Sequence, residues 1–500
     1  MRPKVEAVAA KSREDTSSQP TGVPIQSVSS VDLSETFMPG DSIRRVRLRE
    51  ADNSWPRRHK IGKSLREHTP RESHAEFKPA SNRPHSLNLL AASNVGRQQE
   101  FIPLRMGRMA VSPFAYLRGA ACVMAWDLSK TPNSGIRVII AGDAHVNNFG
   151  LYGTLQRDVI FDLNDFDEAT VGPWEWDLKR LVASVNVAAR ENGMNKAGRE
   201  TAVLRAVESY RRSLDRIEPM GVLDVWYLHY YPDTNHPLLE EHPKAQAVIE
   251  KCVAKAKRET NATLLKKICH RRPNGSWYLP EDPPILVHVD DKTREKVIRG
   301  LEEYWRGLPS ERAFMLNRYH VVDIVHRVVG VGSVGTRAYL ALLMGNDDHD
   351  PLFLQVKECV APAHGPYTIK LPKQLDHHGK RVVMGQRSLQ ASSDVMLGST
   401  TVDGLPFFVR QMKNMKASFP MEMLIGEPFY FYARACAALL ARAHARVGDA
   451  AAIAGYCGKS PALDQALAAW AEAYGDQTER DHAQLVKAIK SGKVKAIEGV

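Results

Sequence analysis

Several features that would place this chain outside the cell or in a membrane are missing. Only six cysteines occur in 500 residues (Cys122, Cys252, Cys269, Cys359, Cys436 and Cys457), and none forms a C-x-x-C pair. That scatter argues against a disulfide framework or a structural zinc site and suits a reducing, cytoplasmic location. No apolar run approaches the length that spans a bilayer, so no membrane segment is expected. The first residues, MRPKVEAVAAKSREDTSSQP, hold no apolar stretch long enough for a secretion signal. Internal repeats are also missing, which excludes solenoids. Excess negative charge is lacking too. The formal net charge is +11, which favours anionic partners such as nucleotides, phosphorylated substrates or nucleic acid. Much of the surplus is local, with ten Lys/Arg against five Asp/Glu between Asp41 and Glu72. A basic segment so poor in apolar residues reads as a solvated leader before it reads as a nucleic-acid site.

What is present is the composition of a large globular protein, 43% apolar and 25% charged. Residues 1 to about 60 show no apolar periodicity and are expected to form a disordered leader, with order beginning near Leu87–Leu90. A helix is predicted over Arg105–Leu128, with Ser112 and Pro113 as a cap and first-turn pair. The period then changes. IRVIIA (136–141) and DVIFDL (158–163) are short β-branched runs of the kind buried strands use. A helix is expected from Leu178 to about Glu191, and residues 201–320 read as mostly helical. Residues 321–412 form a β-rich block, with strand-like runs at Ala338–Leu343, Leu352–Val356 and Phe407–Arg410. Ala-rich helix returns after residue 427.

The residues that carry chemistry cluster at strand ends. Gly142-Asp143-Ala144-His145-Val146-Asn147-Asn148 follows the first run, and Asn164-Asp165-Phe166-Asp167-Glu168 follows the second. An aspartate on such a loop suits a proton acceptor. An amide and further carboxylates suit Mg²⁺ or Mn²⁺, hard cations that prefer oxygen. Either cluster alone is also what an ordinary turn contains. Their placement at the ends of successive strands is what favours a site.

A third cluster, Gly330-Val331-Gly332-Ser333-Val334-Gly335, permits close backbone approach to phosphates. A glycine-rich hairpin is its plainer reading. The continuation PLFLQVKE puts Lys357 on a strand about two dozen residues later. Strand, glycine loop, strand and strand-borne lysine is the order with which kinases cover ATP. A Rossmann site would need a helix opening at the last glycine, and TRAYL reads as strand instead.

The runs SPFAYLRGAA, GDAHVNNFG, FDLNDFDEATVGPWEWDLKRL, GVGSVG, LFLQVKE and LARAHAR resemble the bacterial family called domain of unknown function 2252, over roughly residues 60–490. Two of these motifs are similar to those of aminoglycoside phosphotransferases and protein-kinase-like enzymes. That resemblance implies an α+β, helix-rich, two-lobed fold. It makes Asp143 the catalytic base, with His145 and Asn148 beside it. Asn148, Asp165 and Asp167 become ligands of Mg²⁺ (or Mn²⁺), and Asp177 the helix aspartate that braces the loop. Gly330, Gly332, Ser333, Gly335 and Lys357 become the ATP-binding set. Ala141 stands where those enzymes carry a histidine. The catalytic loop precedes the glycine loop, the reverse of the usual order, so the resemblance implies a circular permutation. Its cut lies between the helix ending LARAHARVGD (440–449) and the catalytic loop. Residues 61–200 and 201–320 would then belong to the large lobe, 321–412 would form the small nucleotide-binding lobe, and 413–500 would complete the large lobe. No glutamate stands between Lys380 and Thr400 to pair with Lys357, and Gln386 or Asp394 are the nearest substitutes.

The expected activity is ATP- and magnesium-dependent phosphotransfer to a small-molecule or protein acceptor. Nucleotidyl transfer uses the same site chemistry and stays open, as does a pseudokinase or scaffold that binds nucleotide without turnover. A two-metal phosphoesterase built on Asp143, His145, Asp165 and His349 is the other alternative, although GNDDHD (345–350) also reads as a solvated hairpin. Arg118 and Arg410 are candidate phosphate or carboxylate contacts.

Overall fold

The computed structural model describes residues 54–232, 243–328 and 330–497. The expected leader lies outside the described residues as far as position 53. Its last residues are not tail: they open helix α1 (Trp55–Ser64). Gly62 packs so closely on the Ala452 backbone that a Cβ there would collide with it. Arg58 pairs with Asp449 at 3.1 Å. Order therefore begins well before Leu87, because the apolar support for α1 comes from a distant segment and leaves no local periodicity.

The predicted helix at 105–128 is three: α2 (Ile102–Ala110), α3 (Pro113–Gly119) and α4 (Ala121–Leu128). Ser112 caps α3 as expected, accepting from the Ala115 N–H at 3.1 Å, and Pro113 at the first position ends what precedes it. Strands β1 (Arg137–Ile140), β2 (Phe149–Gly153), β3 (Val159–Leu163) and β4 (Thr170–Pro173) form two antiparallel pairs, β1 with β4 and β2 with β3. The two strands predicted here are therefore not sheet neighbours. Each pairs with a strand whose glycine or proline hid it. Helices α5 (Trp174–Glu191) and α6 (Lys196–Ile217) follow.

After a short hairpin, β5 (His270–Arg271) with β6 (Trp277–Tyr278), come β7 (Leu286–His288) and helix α7 (Asp291–Arg306). Then come β8 (His320–Arg327), β9 (Ala338–Met344), β10 (Pro351–Glu358), helix α8 (His378–Leu389), β11 (Gly398–Val402) and β12 (Leu405–Gln411). Six strands make one antiparallel sheet in the order β11-β12-β10-β9-β8-β7. Tyr339, Ala341 and Leu343 face one core with Val297, Leu301 and Tyr304 of α7. The alternate residues Leu340, Leu342 and Met344 face a second core with Leu264 and Leu265. Covering on both faces is why β9 is apolar throughout. It also moves β7 and α7, expected with the helical region, onto the sheet.

The chain closes with α9 (Glu427–Val447), α10 (Ala450–Cys457) and α11 (Ala462–Lys490). Together with α5, α6 and the β1–β4 loops they enclose the largest core. The architecture is mixed α/β and mainly helical. No described helix is long and apolar enough to cross a membrane.

Candidate functional site

The first acidic loop leaves β1 against the start of α5. Asp177 there is buried and accepts the N–H groups of Ala141 at 2.6 Å and Gly142 at 2.9 Å. His444 of α9 lies 3.3 Å from the same carboxylate, and Tyr210 of α6 is 2.7 Å from the other nitrogen of that imidazole. Gly142 adopts φ +77°, and a Cβ there would collide with the Glu168 carbonyl of the second loop. Only glycine fits. The two loops also join through Asn164 N–H to the Asn148 carbonyl at 2.8 Å.

Asp143 sits at the mouth of this arrangement. Its Oδ1 is held by Arg180 of α5, one turn after Asp177, with nitrogen–oxygen distances of 2.8 and 2.7 Å. Oδ2 has the His145 Nε2 at 3.7 Å. His145 is buried, and burial pushes its imidazole down to about 3, so the ring beside Asp143 is neutral. Asn148 donates through Nδ2 to the Asp143 carbonyl at 2.7 Å, and its Oδ1 accepts no hydrogen bond from the described residues.

In the second loop, Asp165 Oδ1 accepts only from the Asp167 N–H, at a long 3.3 Å. Burial, reinforced by the neighbouring Asp167 carboxylate, pushes the Asp165 carboxyl up. Asp167 behaves oppositely. Burial works to raise it, but the Lys357 ammonium, together with the Arg410 and Arg381 guanidiniums, holds Asp167 below the usual carboxylate range. Lys357 contacts Asp167 Oδ2 directly across a separation of 190 residues. Burial works to lower the lysine, and Asp167 with Asp165 holds it above its ordinary value. Ser333 of the glycine loop reaches the same Asp167 oxygen at 3.3 Å.

The glycine loop is strapped from outside. Gly330 and Gly335 have φ +68° and +87°. The Gly335 carbonyl accepts from Gln98 N–H at 2.8 Å, the Val334 carbonyl from Arg97 at 2.7 Å, and the Gly330 carbonyl from Arg108 at 2.5 Å. Gly332 lies over the end of α3, where a Cβ would stand 3.5 Å from the Arg118 carbonyl.

Asp143, His145, Asn148, Asp165, Asp167, Ser333 and Lys357 are thus gathered around two touching loops. The lysine's acidic partner is Asp167 and not a residue of α8. Gln386 bonds Gln390 at 2.9 Å, and Asp394 accepts from the Gln411 N–H at 2.6 Å. Helix α8 instead sends the buried Arg381 to the carbonyls of Asp167 at 2.8 Å and Ala169 at 2.5 Å. Glu358 faces away and binds Arg337 at 3.1 Å. His349 is not part of the cluster. It is 82% exposed at the β9–β10 turn, and eight extended residues place it about 25 Å along the chain from Lys357.

Sequence reasoning missed Arg180, Arg381 and His364. Arg180 had a signal, since a spacing of three from Asp177 puts both on one helical face. His364 had none: it arrives from the segment after β10, buried, with Nε2 3.0 Å from the Gly142 carbonyl, next to Ala141 in the chain. Arg410 meets the Asn164 carbonyl at 3.1 Å, and burial followed by Arg410 pushes the nearby Lys416 down to about 7.

The donors available to a cation are Asp165, the Asn148 amide oxygen, and Asp167 Oδ1, which is buried without a partner. Among the described residues no set of three or more His, Cys, Asp or Glu side chains is gathered as a complete cage. Two carboxylates and an amide fit a hard cation that shares its shell with phosphate oxygens.

Comparison with known families matches residues 97–488 to one described as an uncharacterized protein conserved in bacteria, domain of unknown function 2252. No curated protein matches the chain. No solved structure matches it either.

Proposed function

The chain belongs to that bacterial family over most of its length, and from this premise we propose that it is a kinase-like phosphotransferase using ATP with Mg²⁺ or Mn²⁺. One observation carries the reading: Lys357 and Ser333 meet Asp167 beside Asp165 and the Asp143–Asn148 loop, although 190 residues separate lysine from aspartate. The strand order supports it. Strand β8, glycine loop, β9, lysine strand β10, helix α8, β11 and β12 follow one another as in a kinase nucleotide lobe. The antiparallel strand pairs β1–β4 and β2–β3 bring the two acidic loops side by side. The reversed order fits a permutation, because α9 ends against β1: a Cβ at Gly448 would strike the Val138 side chain.

In this reading Lys357, Ser333 and the glycine loop hold the nucleotide phosphates. Asn148, Asp165 and Asp167 hold the cation, which supplies charge neutralisation for those phosphates. Arg180 fixes Asp143 Oδ1, leaving Oδ2 to orient an acceptor hydroxyl and take its proton. The neutral His145 adds no charge there. Nucleotide phosphates and Asp167 compete for the same ammonium, so Lys357 must be shared or released on binding.

Saturating ATP with Mg²⁺ should raise the melting temperature, since ligand binds only the folded state. Asp165→Asn should lose most of that shift. Asp143→Asn should keep it, while turnover of ATP falls by about 10²–10⁴. Mass spectrometry of small-molecule extracts and proteins incubated with enzyme, ATP and Mg²⁺ identifies the acceptor and separates phosphoryl from nucleotidyl transfer. Wild-type protein that binds ATP but modifies nothing would favour the non-catalytic binder. A wild type unmoved by ATP and Mg²⁺ overturns the proposal.

A further inference from the structure

The arginines around the two loops share one trait, with one exception. Arg180 is tied to Asp143 and, at 2.7 Å, to the Leu117 carbonyl. Arg381 is tied to three backbone carbonyls. Arg97 holds the carbonyls of Ser93 and Val334, and Arg410 holds the Asn164 carbonyl. Arg118 makes no hydrogen bond to any described residue, and its Nε is buried without a partner. The Nε atoms of Arg105 and Arg442 are buried without a partner too, but those side chains bond through their other nitrogens. Of the three, only the Arg118 guanidinium is left uncompensated, which costs free energy unless a ligand arrives to meet it.

Its placement is enforced. Arg118 occupies the last turn of α3, whose carbonyls are clamped by two other arginines. Arg180 binds the Leu117 carbonyl, and Arg105 binds the Gly119 carbonyl at 2.8 Å. Ala120 (φ −107°, ψ 36°) then breaks the helix before α4. Above it lies Gly332, the middle glycine of the loop. The acids acting on Arg118 are Asp143, Glu191 and Asp165. The backbone of Arg118 therefore lies against the glycine loop, and the carboxylates whose charge it feels include the base and the cation-binding aspartate as well as Glu191 at the end of α5.

We propose that Arg118 is a catalytic arginine supplied in cis, which binds the equatorial oxygens of the transferring phosphoryl group. This inference rests on the phosphotransferase reading and adds a residue that the kinase pattern does not contain. In the reaction the bond between the γ-phosphorus and the β–γ bridging oxygen breaks, and ADP leaves with that electron pair. An acceptor oxygen forms the new bond to phosphorus and gives its proton to Asp143 Oδ2. The guanidinium spreads positive charge over the three non-bridging oxygens while both axial bonds are partial, as arginine fingers do in other phosphoryl-transfer enzymes. Lys357 is shared between Asp167 and the phosphates, and α8 supplies no glutamate to hold it, so a second cation at this point meets a specific need.

The test uses the full chain and two probes, ADP with Mg²⁺, and the same mixture with aluminium fluoride, a planar mimic of the phosphoryl in transfer. Wild-type protein should melt higher with aluminium fluoride than with ADP alone. Arg118→Ala should keep the ADP shift, lose the additional one, and hydrolyse ATP about 10²–10³-fold more slowly. Arg118→Lys keeps the charge and guards against a folding defect. It should melt normally and recover only part of the increment, because a point charge cannot bridge two oxygens. The proposal is overturned if Arg118→Ala retains the wild-type aluminium fluoride increment, or if it loses the ADP shift equally. A wild type unmoved by nucleotide would overturn the phosphotransferase reading as well, so the two failures are distinguishable.

Discussion

The two acidic loops and the glycine loop meet at one place but are held in opposite ways. The acidic loops are set from beneath by buried side chains. Asp177 takes two backbone N–H groups, His444 and Tyr210 stand behind it, and Arg180 and His364 close the sides. The loop backbones touch at Gly142 and Glu168. The glycine loop is held from above by bonds to its carbonyls from Arg97, Gln98 and Arg108, and Val331 and Gly332 are only partly buried. In the proposed reading the site needs fixed acids and a cover that admits nucleotide. Buried, networked hydrogen bonds suit the first task, and peripheral ones that can open locally suit the second.

The sharpest way to break this comparison is Gly142→Ala. It adds a Cβ to a left-handed backbone and drives it into the Glu168 carbonyl, so both loops must separate. It should cost on the order of 3–5 kcal/mol, more than strain alone, and abolish turnover. Denaturant unfolding with an ATP-hydrolysis assay measures both. A loss below about 1 kcal/mol would mean the acidic loops are not rigidly apposed.

A milder test asks how dry the helical side is. Lys179 lies on α5 between Asp177 and Arg180, buried without a hydrogen bond to any described residue, over the Trp470 ring and near Glu175 and His74. Burial pushes it down to about 7, well below an ordinary lysine. The unfolded chain therefore binds the extra proton between about pH 7 and 10.5, and this group's contribution to stability rises with pH over that window. Lys179→Met should flatten the rise and raise the melting temperature at pH 7 by a few degrees. A steeper pH dependence in the variant would refute the assignment.

The smallest effects belong to the glycine loop. Gly335→Ala strains φ +87° and brings a Cβ 3.1 Å from the Arg97 Cβ, whereas Gly330→Ala meets nothing within 4 Å. The first should cost about 1–2 kcal/mol and raise the KM for ATP. The second should cost about 1 kcal/mol with little change in KM. Equal effects would mean that the strap from Arg97 and Gln98 does not position the loop.

The strand-end acids were legible because β-branched runs such as IRVIIA and DVIFDL mark buried strands and because turn residues follow them directly. FGLYG and TVGP were not, since glycine and proline hide strands that only pairing reveals. The acidic motifs, the glycine loop and Lys357 could all be named from sequence, but not the partner of the lysine. A contact across 190 residues leaves no local pattern, and the lysine's acidic partner sits on the second acidic loop rather than on α8. Helix α1 was hidden for the same reason. Its partners, Asp449 and Ala452, lie at the other end of the chain.

That separation has a consequence in time. Asp162 is neutralised in the core by Arg442, 280 residues later, and Asp177 meets His444 after 267. At about 5–20 residues per second, a ribosome that has made the first loop needs roughly 15–60 s to make the helix that seats it. Throughout that interval the nascent chain carries its two acidic loops without the scaffold that aligns them. The alignment of the two loops then arrives late, with α9, so a truncated translation product lacks it and is open to degradation.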